Sequence, residues 1–545
     1  MFYKHTTQKG FLMRRLLWAW LLVLIMGVSV SVTFAIGAEN PDLTRLLMYV
    51  PRNANLVVAL RSDEEYINTL NDLYARIATQ LPDILKRELP RSLDINDLLA
   101  QAFDTATVKW ADFRDVLGDV IVISTDEPFD AFSGNTSNFE NIHMVVAHTD
   151  KQSIQDLFAL DGIRTTQEGD FEVGEAGNFS FALNDDVLIL TNTETLIPRR
   201  SLADDRDFAD MLPNLPNEDY NILLYTPPGL STGFLMGFDI EDENNLIIDL
   251  VSEAAPGLPT VAITQMGESI PDDTDLLVEA MDFAGTLEVT LDVLEQAQGS
   301  QITRQFEQVF AILGLDLQRD VLSWTDGYVA VFASVNTPVL SQIVFSGGDM
   351  SNLEVFPAEF GLVFEATQPR KAREVAQKLG VGLGILASQT VKLSPTEVGT
   401  LEGTEINIEL PVTRRRSVDL TLFVGANDDI FYFGTKNAAQ KIVDGETLAN
   451  DPTYQNARRY YLDGASQGLY SDDDGAGAIG LLVATVLAPM SSGRLQDTRQ
   501  MIQADITPDT VAEIIRVLET IVDSASISSV PRGEYIVNRA VLTLK

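Results

Sequence analysis

The chain has 545 residues, with 79 acidic against 38 basic side chains, a formal net charge of −41 and no cysteine. A field of that sign repels nucleic acid and anionic lipid surfaces, and the lack of thiols removes disulfides, thiolate metal sites, cysteine nucleophiles and the lipidated cysteine of a bacterial lipoprotein. Hydrophobic content of 45% with 21% charged residues excludes a disordered chain, and the length calls for at least two hydrophobic cores.

Lys4, Lys9, Arg14 and Arg15 precede the uncharged stretch "LLWAWLLVLIMGVSVSVTFA" (16–35), which closes on small residues with Thr33 and Ala35 at −3 and −1. That is the pattern of a secretory signal, residues 1–35, cut after Ala35. The alternative is an uncleaved anchor over residues 16–38, long enough to cross a bilayer with some tilt. Either reading places the bulk of the chain outside the cytoplasm, in the periplasm, at the cell surface or secreted, with membrane contact only through this segment if it is uncleaved.

Beyond it, hydrophobic periodicity predicts two related α+β halves, residues 45–265 and 266–545, each a mainly antiparallel sheet packed with helices. The first half opens with a strand at 56–60 and the helical "EEYINTLNDLYARIATQL", with Ile67, Leu70, Leu73 and Ile77 on one face. A strand at 119–124, a strand–helix pair at 143–160 and the hairpins of "DFEVGEAGNFSFALNDDVLILT" (170–191) follow. "TNTETLIPRRSL" (191–202) reads as helix-like and "STGFLMGF" (231–238) as an apolar helix, and the boundary falls near "EAAPGLPT" (253–260). The second half predicts strands at 276–280 and 328–334, a strand–helix pair at 360–379 and a helix in "GTKNAAQKIVDG" (434–445). Helix-rich sequence is expected to end each half, so that 266–545 closes on a helix-rich C-terminal part: "IGLLVATVLAPM" (479–490) is too short to span a membrane and reads as a buried helix, and the helix at 508–522 carries a stripe of Val511, Ile514, Ile515, Leu518 and Val522.

The halves repeat each other in order. "FALNDDVLIL" (181–190) matches "FVGANDDIFYF" (423–433), and "SLADDRDF" (201–208) matches "TLANDPTY" (447–454) at nearly the same offset. "VPRNANLVVAL" (50–60) echoes "IPDDTDLLVEA" (270–280), Asp115-Val116-Leu117 echo Asp320-Val321-Leu322, and "MVVAHTDKQSIQDLFAL" (144–160) echoes "GLVFEATQPRKAREVAQKL" (361–379). An Asn-Asp-Asp that recurs in the same slot suits a hairpin tip, because Asn and Asp tolerate left-handed backbone and cap their own turn. Asp185 and Asp186 are therefore expected in a turn, not in a catalytic pair.

The signal, "IPDDTDLLVEA", "LDLQRDVLSWTDGYVAVF" and "GLVFEATQPRKAREVAQKLG" together resemble an exported bacterial family, domain of unknown function three-three-five-two. The resemblance covers most of residues 45–475 and is strongest in the second half. In the first, "RDVLGDVIVIS" is shorter and lacks the internal Trp, although Trp110 stands just upstream. It implies export and a repeated α+β build, and brings no activity and no site residues.

Candidate chemistry is sparse. His143 and His148 are the only histidines after His5; an odd separation on one strand puts them on opposite faces, so they cannot share a metal. "GASQG" (464–468) fits G-x-S-x-G, but Ser466 follows helical sequence and no His comes after residue 148. "LGVGLGIL" (379–386) closes a helix and breaks the nucleotide-binding spacing. "LYSDDDGAG" (469–477), fitted as an EF-hand with Gly475 at position six, puts Tyr470 and Leu481 where carboxylates are needed, and "FDIEDENN" (238–245) is likewise read as an acidic turn. Trp110 and Trp324 are expected as core aromatics rather than sugar platforms. No catalytic, cofactor-binding or metal residue and no cofactor is assigned. The resulting expectation is a non-enzymatic binding or scaffolding protein with a surface or periplasmic partner or an apolar ligand; the alternatives are a lipophilic-ligand carrier and a carboxylate-based glycan hydrolase.

Overall fold

The computed structural model describes residues 41–80, 116–126, 141–339, 353–476 and 516–545, less short gaps within those ranges. The signal or anchor segment, Trp110, "IGLLVATVLAPM" and most of 508–522 lie outside the described residues. Two compact units emerge: one ends at Glu253 and takes in Tyr535–Val537, the other comprises Ala254–Glu534 and Asn538–Lys545. Both are mixed α+β with antiparallel strand pairing, the class that the interspersed periodicities predict. No described helix is long and apolar enough to cross a membrane.

The first unit carries α1 (Pro41–Leu47), β1 (Leu56–Arg61), α2 (Glu64–Gln80), β2 (Leu117–Thr125), β3 (Ile142–His148) and α3 (Lys151–Leu160). The hairpin strands β4 (Thr165–Glu168), β5 (Phe171–Ala176), β6 (Phe179–Leu183) and β7 (Val187–Thr191) follow, then α4 (Arg206–Met211), β8 (Ile222–Thr226), β9 (Phe234–Glu241) and β10 (Asn245–Glu253). Pairing gives the order β4-β5-β6-β7-β3-β2-β1-β8-β9-β10, antiparallel throughout. The β-branched run of β2, "VIVIS", suits a strand, and Asp63 Oδ1 accepts from Tyr66 N as an N-cap does ahead of α2.

The second unit contains β11 (Leu276–Met281), α5 (Phe283–Gln298), α6 (Gln301–Ile312), β12 (Tyr328–Val335), β13 (Ala358–Glu365) and α7 (Pro369–Leu386). Then come β14 (Val391–Val398), β15 (Leu401–Thr413), β16 (Arg416–Ala426), β17 (Ile430–Thr435), α8 (Lys436–Asp444), α9 (Pro452–Arg458), β18 (Gln467–Asp472), β19 (Val522–Arg532) and β20 (Tyr535–Leu544). The order is β14-β15-β16-β17-β13-β12-β11-β18-β19-β20, antiparallel as far as β19. On one sheet face Leu277, Tyr328, Phe332, Val363, Phe423 and Tyr432 pack under α8 and α9. On the other, Val329, Phe364, Val424 and Phe431 pack under Trp324 and the α7 residues Ala372, Val375 and Ala376.

Two expected helices are not formed. "STGFLMGF" supplies strand β9, with Leu235, Met236 and Phe238 buried on both faces between β8 and β10; an apolar run covered on both sides has no alternation to separate strand from helix. In "TNTETLIPRRSL" the described residues after β7 form bends. There Thr191 Oγ1 accepts from Thr193 N, Thr193 Oγ1 donates to Thr195 O, and the Asn192 side chain accepts from Ile142 N. The two threonine bonds are local and compete with a helix, the bond to Ile142 ties the segment to β3, and Pro198 adds a missing donor. The matching segment in the second unit does form α8, closed by Gly445 at φ 82°.

Candidate functional site

The two Asn-Asp-Asp segments are hairpin tips of one design. Asn184 Oδ1 accepts from Asp186 N and Val187 N, both at 2.8 Å, between β6 and β7. Asn427 Oδ1 accepts from Asp429 N at 2.9 Å and Ile430 N at 2.8 Å between β16 and β17. The aspartates face outward to Arg45 and Lys151 in one case and to Arg373 in the other.

The remaining sequence candidates separate in space or are closed off. His143 and His148 are buried, and their Nε2 atoms bond different carbonyls, Tyr49 O and Asn184 O, each at 2.9 Å; burial lowers both imidazoles' affinity for a proton. Ser466 is buried on a bend before β18, with its amide bonded to Ser529 O. "LGVGLGIL" is the end of α7. Among the described residues no group of three or more His, Asp or Glu side chains is arranged to hold a metal; the segment expected as an acidic turn is the end of β18 followed by helical residues 473–476, where Asp472 Oδ1 accepts from Gly475 N and Asp473 pairs with Lys545. Trp324 is a core residue whose Nε1 donates to Asp320 O at 2.8 Å, with Phe364 and Phe431 edge-on at 5.8 and 5.7 Å. A groove of about 520 Å³ between the end of α6 and α7 is lined by apolar residues, Gln377 and Lys378. It holds no carboxylate pair, and Lys378 is already engaged with Asp320 at 3.1 Å.

Asp320 illustrates how buried charge is used structurally here. Its fully covered carboxylate accepts from Arg319 at 3.1 Å, Lys371 at 3.2 Å, Lys378 at 3.1 Å and its own loop's Asp316 N at 3.0 Å. The Arg319 bond foremost, with the other donors, holds this carboxyl far below the usual carboxylate range. The result ties α7 to the π-helical turn Leu317–Leu322.

A second buried network was not singled out by the sequence. Glu279 of β11 is buried; Tyr328 Oη of β12 donates to Oε2 at 3.0 Å, and Tyr454 Oη of α9 donates to Oε1 at 3.3 Å. Arg458 Nη1 lies 3.9 Å from Oε1, and its guanidinium stacks 4.0 Å above the Tyr461 ring. Burial pushes the Glu279 carboxyl up, opposed by Arg458 and the tyrosine hydroxyls, and burial also raises Tyr328, Tyr454 and Tyr461. At the positions that the strand registers align, the first unit carries no charge. Val57 faces Tyr225 as Leu277 faces Tyr470, which puts Ala59 in the place of Glu279. Val58 faces Ile123 as Val278 faces Val331, which puts Val120 in the place of Tyr328. Asp205 and Asp451 cap α4 and α9 alike, which puts Phe208 and Leu212 in the places of Tyr454 and Arg458. The ring pair is retained, since Phe208 meets Tyr225 edge-on at 5.0 Å and Tyr454 meets Tyr470 edge-on at 5.0 Å.

The face of the second sheet that α7 partly covers also carries an apolar row, of which Leu362 and Phe433 pack against the core under α7. Leu469, Val278, Val331, Leu362 and Phe433 stand directly opposite one another across β18, β11, β12, β13 and β17. Val278 and Val331 at its centre are 50% and 51% exposed. In the first unit Leu224, Val58, Ile123, Met144 and Leu190 form the corresponding row across β8, β1, β2, β3 and β7, and all five are half-buried. Four interstrand steps make each row roughly 19 Å long.

No family model matches the chain, and no curated protein matches it. Among solved structures, crystal form I of TP0453 is similar over 39% of this chain and 79% of that one, at 11% identity and a TM-score of 0.21. A likeness that slight carries no argument about fold or function.

Proposed function

We propose that the chain is an exported, non-enzymatic binding protein built from two copies of one α+β unit, and that its binding face is the apolar row on the sheet. Export rests on the amino-terminal pattern of residues 1–35. Duplication is supported by the ten-strand order shared by the units, by the paired Asn turns and by the bridges Pro51–Ser201 and Pro271–Thr447, which hold equivalent positions. The observation that carries the binding reading is the exposed Val278–Val331 pair, central to a row that recurs in the first unit. Water-exposed valines side by side in a sheet leave apolar area that an occupant would cover at about 25 cal/mol per Å². With a net charge of −41 around it, the face suits a neutral lipophile or an uncharged apolar partner surface rather than an anionic one.

The test is titration with a neutral environment-sensitive fluorophore, alongside mass spectrometry of a solvent extract of the purified protein. V278D and V331D are expected to weaken binding at least about tenfold, since each places a charge in the contact, while leaving thermal unfolding little changed because both positions are exposed. Equal binding by wild type and both variants would refute the assignment of this face.

A further inference from the structure

We propose that Asp275, Asp472 and Ser524 of the second unit form a binding site for a calcium ion. The inference is independent of the apolar face. Asp275 precedes β11, Asp472 ends β18 and Ser524 stands near the start of β19. Asp472 N donates to Asp275 O at 3.1 Å, which extends the Leu276–Ser471 pairing by one residue, and Asp472 faces Ser524 directly. The three make one row across neighbouring strands, and opposed residues of an antiparallel ladder raise their side chains on the same face. The first unit has no such set. Asn55 N bonds Thr125 O as Asp275 N bonds Ala333 O, which puts Asn55 in the place of Asp275. Val57 faces Tyr225 as Leu277 faces Tyr470, which puts Pro227, two residues on, in the place of Asp472.

Two observations point to a cation. Ser524 is 1% exposed and its Oγ has no hydrogen-bond partner, so a hydroxyl withdrawn from water beside a carboxylate keeps its lone pairs for a ligand. Asp275 is buried, yet among the described residues neither it nor Asp472 forms an ion pair; Lys545 and Lys441 serve the flanking Asp473 and Asp273 instead. Buried carboxylates are normally paired or bound to metal. Burial, with acidic neighbours, pushes Asp275 up to about 7 and Asp472 up to about 6, and a bound cation supplies the positive charge that the chain does not. Asp275 Oδ2 accepts from Val335 N and Asp472 Oδ1 from Gly475 N, which leaves Asp275 Oδ1 and Asp472 Oδ2 as ligands. Oxygen donors alone suit a hard cation, and Ca²⁺ accepts the irregular shell that two carboxylates, a hydroxyl and water make, where Mg²⁺ demands a near-ideal octahedron. Two carboxylates instead of three or more place the affinity at the weak end, with Kd about 10⁻⁴–10⁻³ M.

The experiment is calorimetric titration of the chelator-treated full chain with calcium chloride at pH 8 and constant ionic strength, alongside thermal unfolding. One saturable site is expected, and at tenfold excess over Kd a rise of about 2–4 °C in the unfolding of the second unit. D275N and D472N, whose amides still accept from Val335 N and Gly475 N, should each weaken binding at least about tenfold. S524A, which deletes a hydroxyl that bonds nothing else, should weaken it about fivefold and serves if either aspartate variant folds poorly. D185N/D428N removes two exposed charges from the hairpin tips and should leave binding unchanged. No saturable heat up to about 10 mM calcium, ten times the weakest expected Kd, would overturn the proposal. So would binding that survives in D275N, D472N and S524A. An equal loss in D185N/D428N would overturn it too, by assigning the effect to the net charge of −41.

Discussion

Glu279 and its partners occupy a place that the first unit fills with apolar side chains, so the network can be dismantled in two contrasting ways. E279A alone removes the carboxylate that two buried hydroxyls donate to and that stands 3.9 Å from a nearly buried guanidinium. Breaking a buried pair from one side costs about 3–5 kcal/mol, because the remaining charge stays out of water. The quadruple variant E279M/Y328F/Y454F/R458M removes the carboxylate, both hydroxyls that bond it and the guanidinium while roughly keeping side-chain volume, and leaves the Tyr461 hydroxyl on Leu469 O. Replacing a buried charged network by well-packed apolar groups is typically neutral or stabilising by about 1–4 kcal/mol. The two variants should therefore differ by about 3 kcal/mol or more although the second carries four times as many changes. Urea denaturation followed by exchange labelling of the β11 and β12 peptides reads the second unit separately from the first. With a slope of about 1–3 kcal/mol per M, E279A should lower the midpoint by at least about 1 M while the quadruple variant stays near wild type. A quadruple variant as unstable as E279A would show that the polar groups are needed for packing and refute the equivalence drawn with Ala59, Val120, Phe208 and Leu212.

Two further outcomes follow from the acidic turn and the hairpin tips. Burial, with Asp472, Asp474 and Asp273 nearby, pushes Asp275 up to about 7, so its favourable contribution is full below pH 4 and is lost as pH rises through 7; D275N should gain stability over wild type above neutrality, by at most about 4 kcal/mol, and thermal unfolding at pH 5 and 8 checks this. The amide is tolerated at the matching position of the first unit, where Asn55 N bonds Thr125 O as Asp275 N bonds Ala333 O. N184A and N427A should each cost about 1–2 kcal/mol by removing a side chain that accepts two backbone N–H groups. Alanine at Asp185 or Asp428, whose side chains are 92% and 78% exposed, should stay within about 0.5 kcal/mol on the same chemical-denaturation assay.

The parts of this molecule that sequence reading reaches are those whose cause is local. Strands with β-branched alternation, such as β2 and β12, and the Asn turn that bonds its own backbone all carry their reason within a few residues. The helix expected at 191–202 is not formed because two local side-chain bonds, a third to Ile142 N and a proline outweigh a weak periodicity, and β9 is not legible as a strand because burial of both its faces erases the alternation. Glu279 was legible in part. Period two along "LLVEAM" puts it on the face of Leu277 and Met281, both buried, and a carboxylate on a core face must find partners. Those partners could not be read, because Tyr328 and Tyr454 lie 49 and 175 residues away. The comparison that exposes the network needs the strand registers of both units, since only they align Glu279 with Ala59. Where two units share a strand order, a charged residue standing where the register partner is apolar has no explanation in that order. Whatever selects it acts on one unit alone, and the sheet registers identify which residues to change to find out.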